Sequence, residues 1–284
     1  MCGIAGIFNT KKGSFNSEIT KKMINEINHR GPDFQDYFHD NFISLGHSRL
    51  SIIDLSEAGN QPFYWGERYV LVFNGEIYNY LELKKILINK GIKFKSNSDT
   101  EVLIASYEYW GEECQNKFNG MWSFIIWDKI KNRLFASRDR FGIKPLYWSQ
   151  IDNFVYISSE IKQLKVLGLG NSVNINELSN YLYGSIVSSS EDTFFQGINS
   201  LPGGHCISIE IGGNILIKQW YSLEEKLSSL RVINNAEIIN LLKDSVKLRM
   251  RSDVKVGTCL SGGIDSSSIA SISSNLHQSQ NANY

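Results

Sequence analysis

Two rhythms of apolar residues alternate along the first two-thirds of this chain. Residues 3–8 form a nearly continuous apolar run, Gly3-Ile4-Ala5-Gly6-Ile7-Phe8, of the kind that fills a buried strand. Over 17–27 the period changes, and Ile19, Met23, Ile24 and Ile27 recur on one helical face with Ser17 placed to cap it. His29-Arg30-Gly31-Pro32-Asp33 then supplies turn chemistry. Strands are predicted over 42–54 and 69–73, separated by a polar loop containing Gly59 to Pro62, and helices over 80–89 and 100–110. The aromatic and branched runs 120–128, 132–137, 145–148 and 154–158 read as strands separated by turns. Short helices over 161–167 and 176–183, then a hairpin pairing 205–211 with 214–220 around Gly212-Gly213, complete a dense α+β domain spanning 2–221.

The pattern then breaks. Residues 222–235 are polar and charged and read as a linker. From 236 to 250, Ile238, Ile239, Leu242, Val246 and Met250 recur at helical spacing. A strand over 254–260, a Gly-rich stretch over 261–266 and a helix over 267–276 follow. Helix, strand, loop and helix in this order open a parallel α/β domain, and one strand cannot form a sheet. The second domain, 236–284, is therefore expected to be cut short.

Composition excludes several classes. Of 284 residues, 42% are hydrophobic and 20% charged, enough for a sizeable core. Formal net charge is zero, which argues against a basic surface for nucleic acid or anionic membrane. The four cysteines Cys2, Cys114, Cys206 and Cys259 have neither disulfide nor zinc-site spacing, so a reducing, cytoplasmic setting is expected. The opening apolar run is too short for a secretory signal, and no segment has the apolar length of a membrane span.

Candidate chemistry begins at Cys2. Small residues after an initiator methionine permit its removal, which would free the Cys2 amine. That amine has a reference pKa of roughly 7.7–8.0 and the thiol roughly 8.5, so nucleophile and base could share one residue. Cys2 could equally be a small buried hydrophobe. In 42–54, strand alternation sends Leu50 and Ile52 to one face and Arg49 with Ser51 to the other, where Arg49 either clamps a carboxylate or faces solvent. Asn74-Gly75-Glu76 is by default a hairpin turn, yet an asparagine amide and a glycine N–H also make an oxyanion hole. Ser98 and Glu101 form a capping box that leaves Asp99 to serve the helix dipole or to accept a ligand ammonium. Cys2, Arg49, Asn74 with Gly75, and Asp99 together suit an α-amino acid with a side-chain amide, which is glutamine. In the second domain, Leu260-Ser261-Gly262-Gly263-Ile264-Asp265-Ser266 sits between predicted strand and helix, where backbone N–H groups suit phosphate. It is not a Walker A loop, because Gly263 stands at the lysine position.

The strings MCGIAGIF, HRGPD, HSRLSIIDLSEAGNQPF, VFNGEIYNY, SDTEVL, FNGMWSFIIWD and RDRFGIKPLYW resemble the glutaminase domain of the glutamine-dependent asparagine synthetase family. That domain belongs to the N-terminal-nucleophile, class II amidotransferases. SGGIDSS resembles the pyrophosphate-binding loop of the ATP pyrophosphatase family and the start of the synthetase domain. The resemblance implies a four-layer αββα sandwich followed by the opening of an α/β ATP-binding domain. It implies that Cys2 forms a thioester with glutamine, that Asn74 and Gly75 hold the oxyanion, and that Arg49 with the residues to Ile53 (Leu50, Ser51 and Ile52 between them) binds the carboxylate. Glu76 and Asp99 would complete that pocket. Leu260, Ser261, Gly262, Gly263, Asp265 and Ser266 would hold ATP with Mg2+ on its phosphates, for amidation of aspartate through an adenylate. The chain by itself is expected to hydrolyse glutamine and to make no asparagine. Another carboxylate acceptor such as a sugar acid, or a non-catalytic remnant, are the alternatives. No nucleic-acid or membrane partner is expected, and oligomeric state is left open, a homodimer included.

Overall fold

The computed structural model describes residues 1–11, 16–187, 191–227 and 232–281, arranged in two units. The first unit comprises Met1–Ser51 and Ser56–Ser222. Its strands in chain order are β1 (Gly3–Asn9), β2 (Phe34–His39), β3 (Ile43–Arg49), β4 (Phe63–Trp65), β5 (Tyr69–Ile77) and β6 (Gly120–Asp128). They continue with β7 (Arg133–Arg138), β8 (Tyr147–Ile151), β9 (Phe154–Ser158), β10 (Asn199–Ser200), β11 (His205–Glu210) and β12 (Leu216–Gln219). They form two antiparallel six-stranded sheets, ordered β10-β8-β9-β1-β3-β2 and β12-β11-β7-β6-β5-β4.

Period-two alternation gives each sheet two buried faces. On β1, Ile4 and Phe8 meet Leu45, Val72, Ile125 and Trp127 between the sheets. Ala5 and Ile7 point the other way, onto Met23, Ile24 and Ile27 of the Glu18–Asn25 helix and the segment that follows it. On the second sheet, Leu71, Phe73, Trp122 and Phe124 carry the helices Tyr80–Asn89 and Asp99–Trp110 through Leu83, Leu87, Leu103 and Tyr107. Helix, sheet, sheet and helix are thus stacked as four layers, the αββα sandwich expected. Because both faces of the central strands are covered, β1 and β3 read as buried at every position.

Several local expectations are corrected. The 42–54 strand stops at Arg49, where β3 loses its partners, and β2 beside it went unread because its half-buried aromatics are interrupted by polar and exposed residues. The 69–73 strand runs on to Ile77, so Asn74-Gly75 is no hairpin turn: Asn74 pairs with Ser123 and Gly75 with Trp122 in mid-sheet. Glycine is required there by close approach, since a Cβ on Gly75 would lie 2.1 Å from the Met121 carbonyl oxygen. Ser17 makes no capping hydrogen bond. Ser98 caps its helix by accepting from the Thr100 N–H at 3.1 Å, but Glu101 does not close a capping box. Its carboxylate instead accepts from the backbone N–H groups of Lys95 and Ser96 and from the Ser96 hydroxyl.

The second unit comprises Ile52–Leu55 and Leu223–Tyr284. Within it the helices are Leu223–Leu227, inside the expected linker, Asn235–Arg249, and Ile264–Asn281. Asn234 caps the second with a full capping box to Glu237. The strand expected over 254–260 is not formed: among the described residues of this unit no other strand is present to pair with it. The final helix begins at Ile264, three residues before the expected start, because Gly262 and Gly263 already turn the chain into it.

Candidate active site

Cys2 immediately precedes β1, and its even position places it with Ile4 and Phe8, on the face between the sheets. Gly3 pairs with Ser48, so Arg49 at the end of β3 lies opposite Cys2 in the continued register. On β5, Val70 and Val72 face the same interior, and Asn74 follows in phase with its cross-strand partner Ser123. Alternation therefore brings Cys2, His47, Arg49, Asn74 and Ser123 toward one end of the space between the two sheets.

The Cys2 sulfur lies 3.4 Å from the Leu50 backbone nitrogen and 3.5 Å from its carbonyl oxygen. Arg30, from the turn Asn28–Arg30, donates its Nε–H to the Cys2 carbonyl at 2.8 Å and an Nη1–H to Glu160 at 3.0 Å. The site's end of the chain is thus held by its own backbone rather than through the thiol. Arg49 is buried and donates to the Ser56 carbonyl at 2.9 Å and to Asn60 Oδ1 at 2.6 Å, which fixes its guanidinium against the loop. Ser51 is anchored through its N–H to Asp33 at 2.7 Å. Ile52 and Ile53 fall in the second unit, where the Ile52 carbonyl accepts from the Asp253 N–H.

The decisive oddity is Asn74. It is fully buried, yet among the described residues neither its Nδ2 nor its Oδ1 has a hydrogen-bond partner. Ser123 Oγ, directly opposite, is buried and unpartnered as well. An unsatisfied buried polar group costs roughly 1–3 kcal/mol, so such groups mark a place where a ligand or water completes the pairing. The backbone beside Asn74 is organised the same way. The Trp122 N–H and carbonyl are both taken up by Asp139, at 3.2 and 2.9 Å, and so point away from Gly75. Phe73 N–H points to the opposite side of β5, onto Gln61 Oε1 at 2.6 Å. Gly75, two residues on, turns its N–H to that same side, past the end of β4.

Charges at the site are displaced by burial. Asp99 accepts from the Ile77 N–H at 2.9 Å, but desolvation outweighs this and its carboxyl is pushed up to about 7. Burial also raises Glu76, against the pull of the Lys144 ammonium. Burial lowers Lys144 itself, raises the Cys2 thiol, and pushes His47 down to about 3. His47 is therefore neutral and donates Nε2–H to the Phe73 carbonyl at 3.1 Å, tying the two sheets together one residue before Asn74. Sequence reading missed Arg30, His47, Ser123 and Lys144 as site neighbours. Their strings were in plain view, but only the strand register, for His47 and Ser123, and the contacts made from turn and loop, for Arg30 and Lys144, bring them to the start of the chain.

Asp99 gives a pH test without any ligand. Its carboxyl titrates near 3.8 when unfolded and near 7 when folded, so the folded state binds the proton more tightly. The resulting penalty is absent below pH 4, grows as pH rises to 7, and is constant above. Asp99→Asn should stabilise the ligand-free chain at pH 8 by on the order of 2–4 kcal/mol and leave it unchanged at pH 4. Urea unfolding at both pH values checks this; an equal effect at the two would sink it.

Residues 1–221 match the family described as "Glutamine amidotransferase domain", and residues 237–283 match "Asparagine synthase". The chain belongs to the glutamine amidotransferase domain family. Among its relatives is the Bacillus subtilis (strain 168) protein named "Asparagine synthetase [glutamine-hydrolyzing] 1", 39% identical over 98% of this chain and 45% of that protein. A Methanocaldococcus jannaschii protein named "Putative asparagine synthetase [glutamine-hydrolyzing] 2" is 36% identical over 96% of this chain and 56% of its own length. "Amidase chry2" of Gibberella zeae is 35% identical over 97% of this chain and 43% of its own. The chain thus spans about half the length of the curated relatives it matches. Among solved structures, a glutamine phosphoribosylpyrophosphate amidotransferase from B. subtilis aligns with a TM-score of 0.58 at 18% identity, over 78% of this chain and 49% of that one. That likeness bears on the fold.

In the second unit, Gly262 adopts φ +84° and leads through Gly263 into the final helix. Ser266 Oγ accepts from the Ser261 N–H at 3.2 Å and donates to the Gly263 carbonyl at 3.1 Å, closing a small ring at the helix start. Leu260 and Asp265 lie exposed beside it. Among the described residues no group of three acidic, His or Cys side chains could hold a metal. Among the described residues no helix is long and apolar enough to cross a membrane.

Proposed function

We propose that this family member hydrolyses glutamine at Cys2 and, as part of a longer glutamine-dependent asparagine synthetase, delivers the ammonia to an ATP-activated aspartate. The observation that carries the glutaminase reading is the buried amide of Asn74, without a hydrogen-bond partner among the described residues and facing the same interior as Cys2. With Met1 removed, the Cys2 amine takes the thiol proton and the thiolate attacks the glutamine side-chain amide carbon. The carbonyl oxygen becomes an oxyanion, held by Asn74 Nδ2–H and the Gly75 N–H. The ammonium on Cys2 returns its proton as the C–N bond breaks, and ammonia leaves a thioester that water then hydrolyses to glutamate. Asp99, a buried carboxylate above its usual range and without an ion-pair partner among the described residues, is the acceptor for the substrate's ammonium, with Glu76 beside it. Arg49, held rigid by Ser56 and Asn60, with Leu50 and Ser51, receives its carboxylate.

The loop from Leu260 to Ser266 fits the phosphates of ATP, because a left-handed Gly262 and the first turn of the last helix turn N–H groups to one side. Gly262, Gly263 and Ser261 would hold the nucleotide there, Ser266 and Asp265 would shape the turn, and bound ATP would supply the adenylating chemistry. A cytoplasmic, reducing setting suits a working thiol. The test is a direct one: the purified chain should convert L-glutamine to glutamate and ammonia in equal amounts without ATP, on a polypeptide whose intact mass lacks Met1. Absence of ammonia release overturns the reading. Asparagine formed by this chain alone from aspartate, ATP and glutamine would overturn the division of labour between the two parts.

A further inference from the structure

We propose that Lys144 is a positioning residue that acts through Cys2: a buried ammonium, held in place by its own backbone, whose field keeps the Cys2 thiol and amine easier to deprotonate. The inference rests on the reading of Cys2 as nucleophile. Lys144 is only 4% exposed and comes from the loop after β7. Its N–H donates to Asp139 Oδ2 at 2.9 Å, and its carbonyl accepts from Arg138 Nε at 2.7 Å. The same Asp139 carboxylate accepts from the N–H groups of Phe141 and Ile143, so the loop has little freedom. From this clamp the side chain runs to the start of the chain, where Nζ touches Met1 Sδ at 3.3 Å.

A thioether is a weak acceptor, and among the described residues no carboxylate lies within 4 Å of this ammonium. Burying a cation without a tight partner is costly, and structures retain such an arrangement where its field is used. Around Lys144 stand Glu76 from β5, Cys2, Arg30 from the turn after the first helix, and Asp139 from its own loop. Around the Cys2 thiol stand the chain's terminal amine, Asp99 and Lys144. Around the terminal amine stand Arg30, Lys144 and Asp33. Burial, and after it Asp99, oppose thiolate formation; the Leu50 N–H, the terminal amine and the Lys144 ammonium offset part of that. Removal of Met1 takes away the thioether and leaves the ammonium facing the Cys2 amine, whose neutral form a neighbouring cation favours.

The sign is definite. Deleting the cation should raise the pH at which Cys2 becomes reactive by about one unit, the effect of one charge across a partly desolvated gap. Alkylation of Cys2 by iodoacetamide, followed on the Cys2 peptide by mass spectrometry from pH 5 to 10, reads it. Lys144→Met should move the midpoint up by about one pH unit, about a tenfold slower rate at pH 7, with the acid limb of glutaminase kcat/KM moving alike. Lys144→Arg should restore the wild-type midpoint. Glu76→Gln, which removes the facing acid and leaves Lys144 in place, should move it down; this keeps the test decisive if Lys144→Met does not fold. Cys259, exposed and in the second unit, serves as the internal reference. Unchanged midpoints in these variants would overturn the inference. A shift in alkylation from a wild-type chain that releases no ammonia would instead overturn the glutaminase reading and leave Lys144's role standing.

Discussion

Cys2→Ala should bring glutamine hydrolysis down by at least about 10⁴-fold while leaving the fold intact. The size follows from the role: no other group at the site can form the thioester, and removing a covalent nucleophile leaves only binding and oxyanion stabilisation. His47 is neutral and committed to the Phe73 carbonyl, and Cys114 and Cys206 are buried in the core of the second sheet. Stability should move by less than about 1 kcal/mol, because the Cys2 sulfur makes only long contacts with Leu50, and Arg30 grips the Cys2 carbonyl, which alanine keeps. A coupled ammonia assay and urea unfolding of the same preparation separate the two quantities. Residual activity within tenfold of wild type would remove Cys2 from the mechanism.

The chain announced its αββα layering through rhythm: apolar runs buried on both faces alternated with helical periods, and most elements lie where that rhythm puts them. The same burial hid the site. On β3 and β5 every position from Ile43 to Arg49 and from Tyr69 to Asn74 is buried, so no inside-outside contrast marks His47 or Asn74 as special. Asn74-Gly75 carried the local signature of a hairpin, and sheet pairing overrode it; the glycine is there because β6 passes too close for a Cβ. Arg49 was legible as a candidate because strand alternation over 42–54 sets a charged residue on the face opposite Leu50 and Ile52. Lys144 and Arg30 were not, since each sits in a Gly-containing turn where a basic residue is ordinary. The expected strand over 254–260 failed for the opposite reason: its local pattern was sound, but a strand needs a neighbour.

Asn74→Ala separates transition-state stabilisation from folding more cleanly than any other change at this site. Its amide is expected to donate to an oxygen that bears full negative charge only once the thiolate has attacked. Deleting one such donor should lower kcat by about 10²–10³-fold, roughly 3–4 kcal/mol of barrier, with KM nearly unchanged. Stability should respond in the other sense or hardly at all. Truncation removes two buried polar atoms that have no partner among the described residues, and the relief offsets the packing lost beside Ser123. A structural asparagine would behave differently: its loss would lower the unfolding midpoint and leave kcat per folded molecule untouched. Steady-state kinetics together with denaturant midpoints for Asn74→Ala therefore distinguish the two, and a destabilised variant with full kcat would refute the oxyanion role. Asn74→Asp sharpens the comparison, because it keeps the shape and the packing but replaces a donor with an acceptor that repels the developing charge. It should be at least as inactive as the alanine variant, whatever its stability.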